Sequence, residues 1–348
     1  MSVRDALVKL VEGKDLTRDE AGAAMWTLVN GEATPSQIAG FMVALRMKGE
    51  TADEIAGLAE VMRAAATHVA AGDNVVDVVG TGGDGAGTFN ISTMSALVVA
   101  AAGGRVAKHG NRSVTSACGS ADFLEALGIA IDLPPDGVAR SVDETGFGFM
   151  FAPQYHPAMR HAIAPRREIG VRTVFNILGP LTNPAGARRQ VTGVAAPGLG
   201  GTLARVLALL GAEHALIVHG ADGLDEISIG APTEVNEARQ GDVRFYTIEP
   251  ETFGLRKAPT DAVRGGTVAA NLALARQVLD GAAGPPRDVV LLNAGASLYV
   301  AGLATSIEEG IGRAADELDS GRVAAKIEQV AAASQRLRTE SRTAEAPT

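Results

Sequence analysis

AGDNVVDVVGTGGDG, residues 71–85, marks an abrupt change of pattern in a chain of 348 residues. Val75, Val76, Val78 and Val79 form a short β-branched run, the pattern of a strand buried in a parallel sheet, and it leads straight into a glycine-rich turn. Upstream the pattern is helical. Thr17 with Glu20, Thr34 with Gln37 and Thr51 with Glu54 each place an oxygen at an N-cap and a Glu or Gln three residues on, and Pro35 at N1 reinforces the second cap. Behind two of these caps, Ile38, Phe41, Met42, Leu45 and then Ile55, Leu58, Ala59, Met62 follow the spacing of one buried helical stripe. Residues 1–70 therefore read as a small helical domain, with its boundary near Ala71.

Downstream, strand-like runs at 105–108, 129–133, 147–151, 190–194, 214–219 and 243–248 alternate with helical stretches. That alternation predicts an α/β fold class: a large α/β domain over 71–335 with a mostly parallel central sheet, beside the small all-α domain. HPAMRHAIAPRREIGVRTVFNILGPLTNPAG (156–186) breaks the alternation, being too long and too helical for a simple crossover and bracketed by Pro153, Pro157, Pro180 and Pro184. Its stretch from about 160 to 182 is expected to rejoin the helical domain. From about Ala333 the chain is polar and without periodicity, so 336–348 reads as a frayed tail. No internal repeat is visible.

Composition is permissive: 46% hydrophobic residues can build an ordinary core. The net charge of −9 and pI near 5.3 argue against nucleic-acid or anionic-membrane partners, so any positive patch must be local. Cys118 is the only cysteine, which excludes an internal disulfide or a cysteine zinc cluster and suits a reducing compartment. The start, MSVRDALVKLVEGK, lacks a signal-type apolar run, and LLNAGASLYVAGLA (291–304) is too short to span a bilayer. The expected setting is the cytoplasm.

Phosphate-friendly strings crowd the stretch after residue 80: GTGGDGAGT (80–88), NIST (90–93), KHGNR (108–112) and GSAD (119–122). They offer glycine N–H groups, hydroxyls, amides and cations, the donors a ligand with several phosphates needs. Gly80, Gly82 and Gly85 also satisfy G-x-G-x-x-G, which keeps a dinucleotide enzyme open, although the second strand ends in the cationic KHGNR rather than in an acidic residue. A Walker-type lysine is missing from the loop. Asp225 and Glu226 follow directly on the strand HALIVHG, at the carboxyl edge where open sheets bind ligands. Adjacent carboxylates beside a phosphate cradle suit magnesium, which prefers oxygen ligands and shares them with substrate phosphates; a solvated acidic loop is the alternative. None of the six histidines forms HExxH, and His156 and His161 are five apart, off one helix face. Cys118 lacks a nucleophile signature and reads as a buried thiol; Arg166 and Arg167 alone read as solvated helix charges.

Taken together, GTGGD, NIST, KHGNR, GSAD, RREIGVRTVFNILGPLTNPA and GLDEIS stand in the order seen in the anthranilate phosphoribosyltransferases of tryptophan biosynthesis, and the resemblance covers nearly the whole chain. It implies the fold class shared with pyrimidine nucleoside phosphorylases, usually a homodimer joined through the helical domains. It implies binding of 5-phosphoribosyl 1-diphosphate by Gly80, Gly83, Asp84, Thr88, Asn90, Ile91, Ser92, Thr93, Lys108, His109, Gly110, Asn111, Arg112, Ser113, Val114, Thr115, Ser116 and Ser120. By the same resemblance Gly80, His109, Asn111 and Arg166 face anthranilate, and Ser92, Asp225 and Glu226 hold two magnesium ions. No general base is assigned. The implied reaction displaces pyrophosphate from the anomeric carbon by the amine of anthranilate. Ser113, Thr115 and Ala117 depart from the family pattern and touch only the fine phosphate contacts of that loop. Two rivals remain: a nucleoside phosphorylase of the same fold, which would show a differently spaced glycine loop and lack the Arg166 and NILGPLTNP segment, and a non-catalytic nucleic-acid-binding relative, which should be basic with eroded DE and KHGN strings.

Overall fold

Four helices open the computed structural model, which describes residues 1–113 and 117–345. They are α1 (Val3–Val11), α2 (Arg18–Val29), α3 (Pro35–Lys48) and α4 (Ala52–Ala64). All three capping boxes form, with cap and N3 side chains satisfying each other's backbone N–H groups. A fourth, Ser2 with Asp5, starts α1; it escapes a rule written for Glu or Gln. Glu54 does more than cap. Fully buried, it accepts from Leu16 N at 2.9 Å, Thr51 N at 2.8 Å and Lys48 Nζ at 2.9 Å, tying the approach to α2 to the end of α3 and the start of α4.

The α/β part begins with β1 (Val75–Gly80), α5 (Ile91–Ala101), β2 (Arg105–Gly110), α6 (Ser120–Ala126), α7 (Pro135–Thr145) and β3 (Phe147–Phe151). The chain then leaves the sheet through α8 (Ala152–Tyr155), α9 (Arg160–Ile169) and α10 (Phe175–Leu181). It returns as β4 (Arg189–Gly193), α11 (Leu199–Leu209), β5 (His214–Gly220), β6 (Thr233–Arg239) and β7 (Asp242–Ile248), and closes with α12 (Val268–Leu279), α13 (Pro285–Ala301), α14 (Ile307–Asp319) and α15 (Arg322–Glu345). The seven strands lie in the order β3-β2-β1-β4-β5-β6-β7, parallel through β5 and antiparallel over the last two pairings.

Three features differ from the sequence reading. Residues 129–133 form no strand; Ile129, Ala130, Ile131 and Leu133 are buried as irregular backbone whose polar groups find side chains instead, Ala130 N donating to Ser334 Oγ (3.0 Å) and Leu133 O accepting from Tyr155 OH (2.7 Å). TEVNEAR, polar in composition, is β6, because its middle residues are buried and a two-residue turn at Gln240 and Gly241, both at positive φ, folds β7 back on it. The tail expected to fray over 336–348 is helical through Glu345. Leu337 is buried, and Arg336 pairs with Glu144, Arg140 with Glu340 (2.9 Å) and Arg342 with Asp132 (3.0 Å).

Ala162, Val174, Phe175, Ile177, Leu178 and Leu181 of the α9–α10 stretch are buried in the same apolar cluster as α1–α4. That cluster continues onto Leu203 and Leu207 of α11 and Ala215 and Ile217 of β5, so the helical unit sits on one face of the sheet. A larger core on β1, β2 and β5 is covered by α5 and by helices of the C-terminal group.

Candidate active site at the sheet switch point

Strand order reverses between β1 and β4, which opens a crevice at their carboxyl ends. Gly80 and Gly193 face each other there, and Thr81 N donates to Gly193 O at 2.9 Å. The turn after β5 folds back over this crevice and brings Asp225 down onto both glycines: its backbone oxygen lies where a Cβ at Gly193 would stand, and its Oδ2 where one at Gly80 would stand. Glycine is needed at these positions for space. Asn293 of α13 holds the turn from behind, donating to Ile227 O and accepting from Ile227 N, both at 2.9 Å.

The same two carboxylates gather the glycine loop and the start of α5. Gly82 N donates to Asp225 Oδ2 at 2.7 Å, and Ser92 N to Glu226 Oε1 at 3.2 Å. Beyond the loop, Gly265 N donates to Gly87 O (2.9 Å) and Phe89 N to Val263 O (3.0 Å), which anchors Thr88 beside Arg264. Asn90 makes no cap bond to α5; its Nδ2 donates to Cys118 O at 3.4 Å, and with Ile91 N on Phe89 O (2.7 Å) and Ser92 N on Glu226, the Thr93 N–H of the first turn remains for an anion. Ile91 and Thr93 turn their side chains into the core, whereas Ser92 between them is half-buried. Of these two, only the Thr93 N–H is left to reach a ligand, since Ile91 N donates to Phe89 O at 2.7 Å.

KHGNR is divided in the same way. Lys108 is buried beneath the loop, its Nζ donating to Val78 O and lying 3.5 Å from Ser92 Oγ. Burial lowers its pKa, opposed by the charges of Asp77 and Glu226. His109 is buried with Nδ1 3.2 Å from Gly179 O and Nε2 without a partner; its ring centroid is 5.0 Å from that of His156. Burial pushes the two imidazoles down to about 3 and about 4, so both are neutral. Asn111 accepts from Arg112 N at 2.7 Å, and its carbonyl takes Ser120 Oγ at 3.2 Å. Arg112 is committed to Asp122 (2.5 Å) and Glu125 (2.6 Å), and Asp122 Oδ2 also accepts from Ser113 N at 3.4 Å. Val114, Thr115 and Ser116 lie outside the described residues.

The donor set fits a hard cation. Burial and the neighbouring Asp84 raise Asp225 to about 6; burial and Asp225 raise Glu226 well above the carboxylate range. Asp84 Oδ2 is buried without a hydrogen-bond partner. Among the described residues no three His, Cys, Asp or Glu side chains are arranged to enclose an ion by themselves. The carboxylates suit an ion that completes its shell with water and phosphate oxygens.

Arg166 sits in the last turn of α9, half-buried, with its guanidinium 6.0 Å from the Phe175 ring centroid and no polar partner among the described residues; no hydrogen bond joins it to Asn111. Sequence reading missed Asp77, Asn183 and Asn293, and weighed His156 only as a metal ligand. Asp77 is fully buried in β1, raised to about 6 chiefly by burial, and joins His109 N (3.2 Å) to Asn183 Nδ2 (2.7 Å). A lone aspartate inside VVDVV was the available signal. A cavity of about 370 Å³ lies at the opposite end of β5, beside His214, Arg239 and Tyr299. Its polar groups satisfy one another, with His214 Nε2 2.7 Å and Tyr299 OH 2.9 Å from Glu237 Oε1, whereas Asp84 Oδ2 and His109 Nε2 at the switch point have no partner among the described residues.

Residues 4–66 match the helical bundle domain of a glycosyl transferase family, and residues 72–324 match that family's a/b domain. The chain is 55% identical over 331 residues to the anthranilate phosphoribosyltransferase of Thioalkalivibrio sulfidiphilus, covering 95% of this chain and 98% of that one. It is 56% identical over 333 residues to that of Thermomicrobium roseum, covering 94% and 96%. Among solved structures, anthranilate phosphoribosyltransferase from Thermus thermophilus superposes with a TM-score of 0.89 at 46% identity, covering 95% of this chain and 99% of that one. The Saccharomyces cerevisiae enzyme in complex with PRPP and Mg gives 0.86 at 27% identity, covering 96% and 98%.

Proposed function

The chain belongs to the anthranilate phosphoribosyltransferase family, and on that premise we propose that it transfers the 5-phosphoribosyl group of 5-phosphoribosyl 1-diphosphate to the amine of anthranilate. The products are N-(5-phosphoribosyl)anthranilate and pyrophosphate, in tryptophan biosynthesis. One observation carries the reading to this site: Asp225 and Glu226 accept from Gly82 N and Ser92 N, so carboxylates, glycine loop and helix start meet at the switch point.

The diphosphate substrate lies along Gly80, Gly83, Asp84, Thr88 and the start of α5, with residues 108–113 and Ser120 around it. Glycine N–H groups and the first turn of α5 receive the phosphate oxygens. Ser92, Asp225 and Glu226 hold magnesium, as two ions. Bound magnesium neutralises charge on the leaving pyrophosphate. Lys108 serves from below, since its amine fixes Val78 O and Ser92 rather than facing solvent. Anthranilate meets Gly80, His109 and Asn111, while Arg166 grips its carboxylate in a charge-assisted hydrogen bond. The neutral, buried His109 gives the weakly basic amine an uncharged neighbour.

The amine nitrogen forms the new bond to the anomeric carbon as the C–O bond to diphosphate breaks. Pyrophosphate leaves with the electron pair, and the proton lost from the amine passes to solvent water. Holding the reactants in line supplies much of the rate. The working unit is a homodimer joined through the helical domains, in the cytoplasm; exposed Val8, Val11 and Met47 on α1 and α3 support that interface. Mixing protein, anthranilate, 5-phosphoribosyl 1-diphosphate and magnesium should quench anthranilate fluorescence, and a flat trace from folded protein refutes the reading.

A further inference from the structure

We propose that Arg172 is a diphosphate-binding residue, delivered to the glycine loop from the helical side of the molecule. This rests on the phosphoribosyl-transfer reading above. Arg172 lies in the link between α9 and α10. That link is fastened to the helical unit: Thr173 and Val174 are buried, Thr173 N donates to Asn176 Oδ1 at 2.9 Å, and the Thr173 hydroxyl reaches Met42 Sδ of α3 at 3.8 Å.

On its other side the link sends a guanidinium across to the loop. Arg172 Nη1 occupies the space a Cβ at Gly83 would need, with Cζ 2.9 Å and Nη2 3.6 Å from that position. Gly83 takes φ +77°, so both its backbone and its missing side chain make room for the cation. Arg172 is exposed and, among the described residues, forms no ion pair and no side-chain hydrogen bond, although Asp84 is the next residue along the loop.

Arg166, the other unpaired cation of the site among the described residues, lies against the Phe175 ring, and the cations nearest the loop are already engaged. Lys108 is buried under the loop, and Arg112 is paired with Asp122 and Glu125. A polyanionic substrate therefore meets Arg172 as the unpaired cation in contact with the glycine loop among the described residues. A guanidinium fork beside backbone N–H groups can take two oxygens of one diphosphate, a geometry that an ammonium does not reproduce.

The test is calorimetric titration of the full chain with magnesium pyrophosphate, for the wild type, Arg172→Ala and Arg172→Lys, alongside steady-state constants for both substrates. Arg172→Ala should weaken pyrophosphate binding and raise the KM for the diphosphate substrate by about tenfold or more, the scale of a lost charge-assisted hydrogen bond. The anthranilate KM should stay within about twofold, with Arg172→Lys recovering part of the loss. Pyrophosphate affinity unchanged in folded Arg172→Ala overturns the assignment. Equal losses for both substrates overturn it too, since a mere clasp between link and loop would produce them. If the wild type turns over but the variants bind normally, this inference alone fails; if the wild type neither binds pyrophosphate nor turns over, the transfer reading fails with it.

Discussion

Replacing Gly80 with alanine asks whether the site depends on how closely Asp225 approaches the end of β1. The backbone of Gly80 is not at positive φ, so alanine suits its conformation; what alanine lacks is room. Its Cβ would overlap Asp225 Oδ2 and stand 3.1 Å from Cγ and 3.4 Å from the backbone oxygen. Retreat is blocked, because that oxygen already rests on Gly193 and Asn293 holds Ile227 from behind. The carboxylate must swing by on the order of 1 Å, a displacement that costs roughly a hundredfold in rate when it misplaces reacting groups. Overpacking should cost about 1–3 kcal/mol of stability. Gly85→Ala is the control: its Cβ meets nothing within 4 Å, but φ +73° makes it strained, by about 1–2 kcal/mol. Anthranilate-fluorescence kinetics and thermal melts on both variants separate the two effects. Gly80→Ala should lose about a hundredfold in kcat/KM for the diphosphate substrate, and Gly85→Ala no more than a few-fold at a similar loss of stability. Equal losses in the two variants, or full activity in Gly80→Ala, would refute the reasoning.

Arg166→Ala should raise the anthranilate KM well above any change in the diphosphate-substrate KM, and steady-state kinetics showing equal effects would sink that assignment. Acid should destabilise the fold through His109 and His156, whose pKa values fall from 6.5 to about 3 and about 4 on folding. Below pH 6.5 the unfolded chain takes up protons that the native imidazoles refuse, so stability present above that pH is lost as pH falls, at about 1.4 kcal/mol per pH unit per histidine. Asp77, Asp225 and Glu226, raised on folding, favour the native state in acid, so the histidine slope is read as a difference: in melts between pH 7.5 and 4.5, His156→Gln should gain stability relative to the wild type as pH falls, and parallel curves would count against buried neutral imidazoles. Leu337→Ala should cost about 2–4 kcal/mol in a denaturant melt, because the side chain is buried under the last helix, and no loss would mean that α15 does not pack there.

Much of this architecture is legible in the sequence because local chemistry decides it. The caps at Thr17, Thr34 and Thr51 and the valine run before Gly80 each carry their own structural instruction. β6 and α15 escape a local reading for a shared reason: TEVNEAR and the tail look polar, and their burial comes from distant partners such as α13 and α7. At the site, residue types point to Asp225, Glu226 and the glycine loop. They do not show that Lys108 is buried or that Arg112 is already paired. They also give no sign that Arg172 crosses to Gly83, a juxtaposition made by packing between segments far apart in the chain.

The most direct test of the central claim is a crystal structure with 5-phosphoribosyl 1-diphosphate and magnesium bound. The diphosphate should lie against Gly80, Gly83 and the first turn of α5, with metal on Asp225 and Glu226. Diphosphate bound instead in the cavity beside Arg189, Arg239 and Tyr299, with the Asp225–Glu226 turn free of metal, would contradict it.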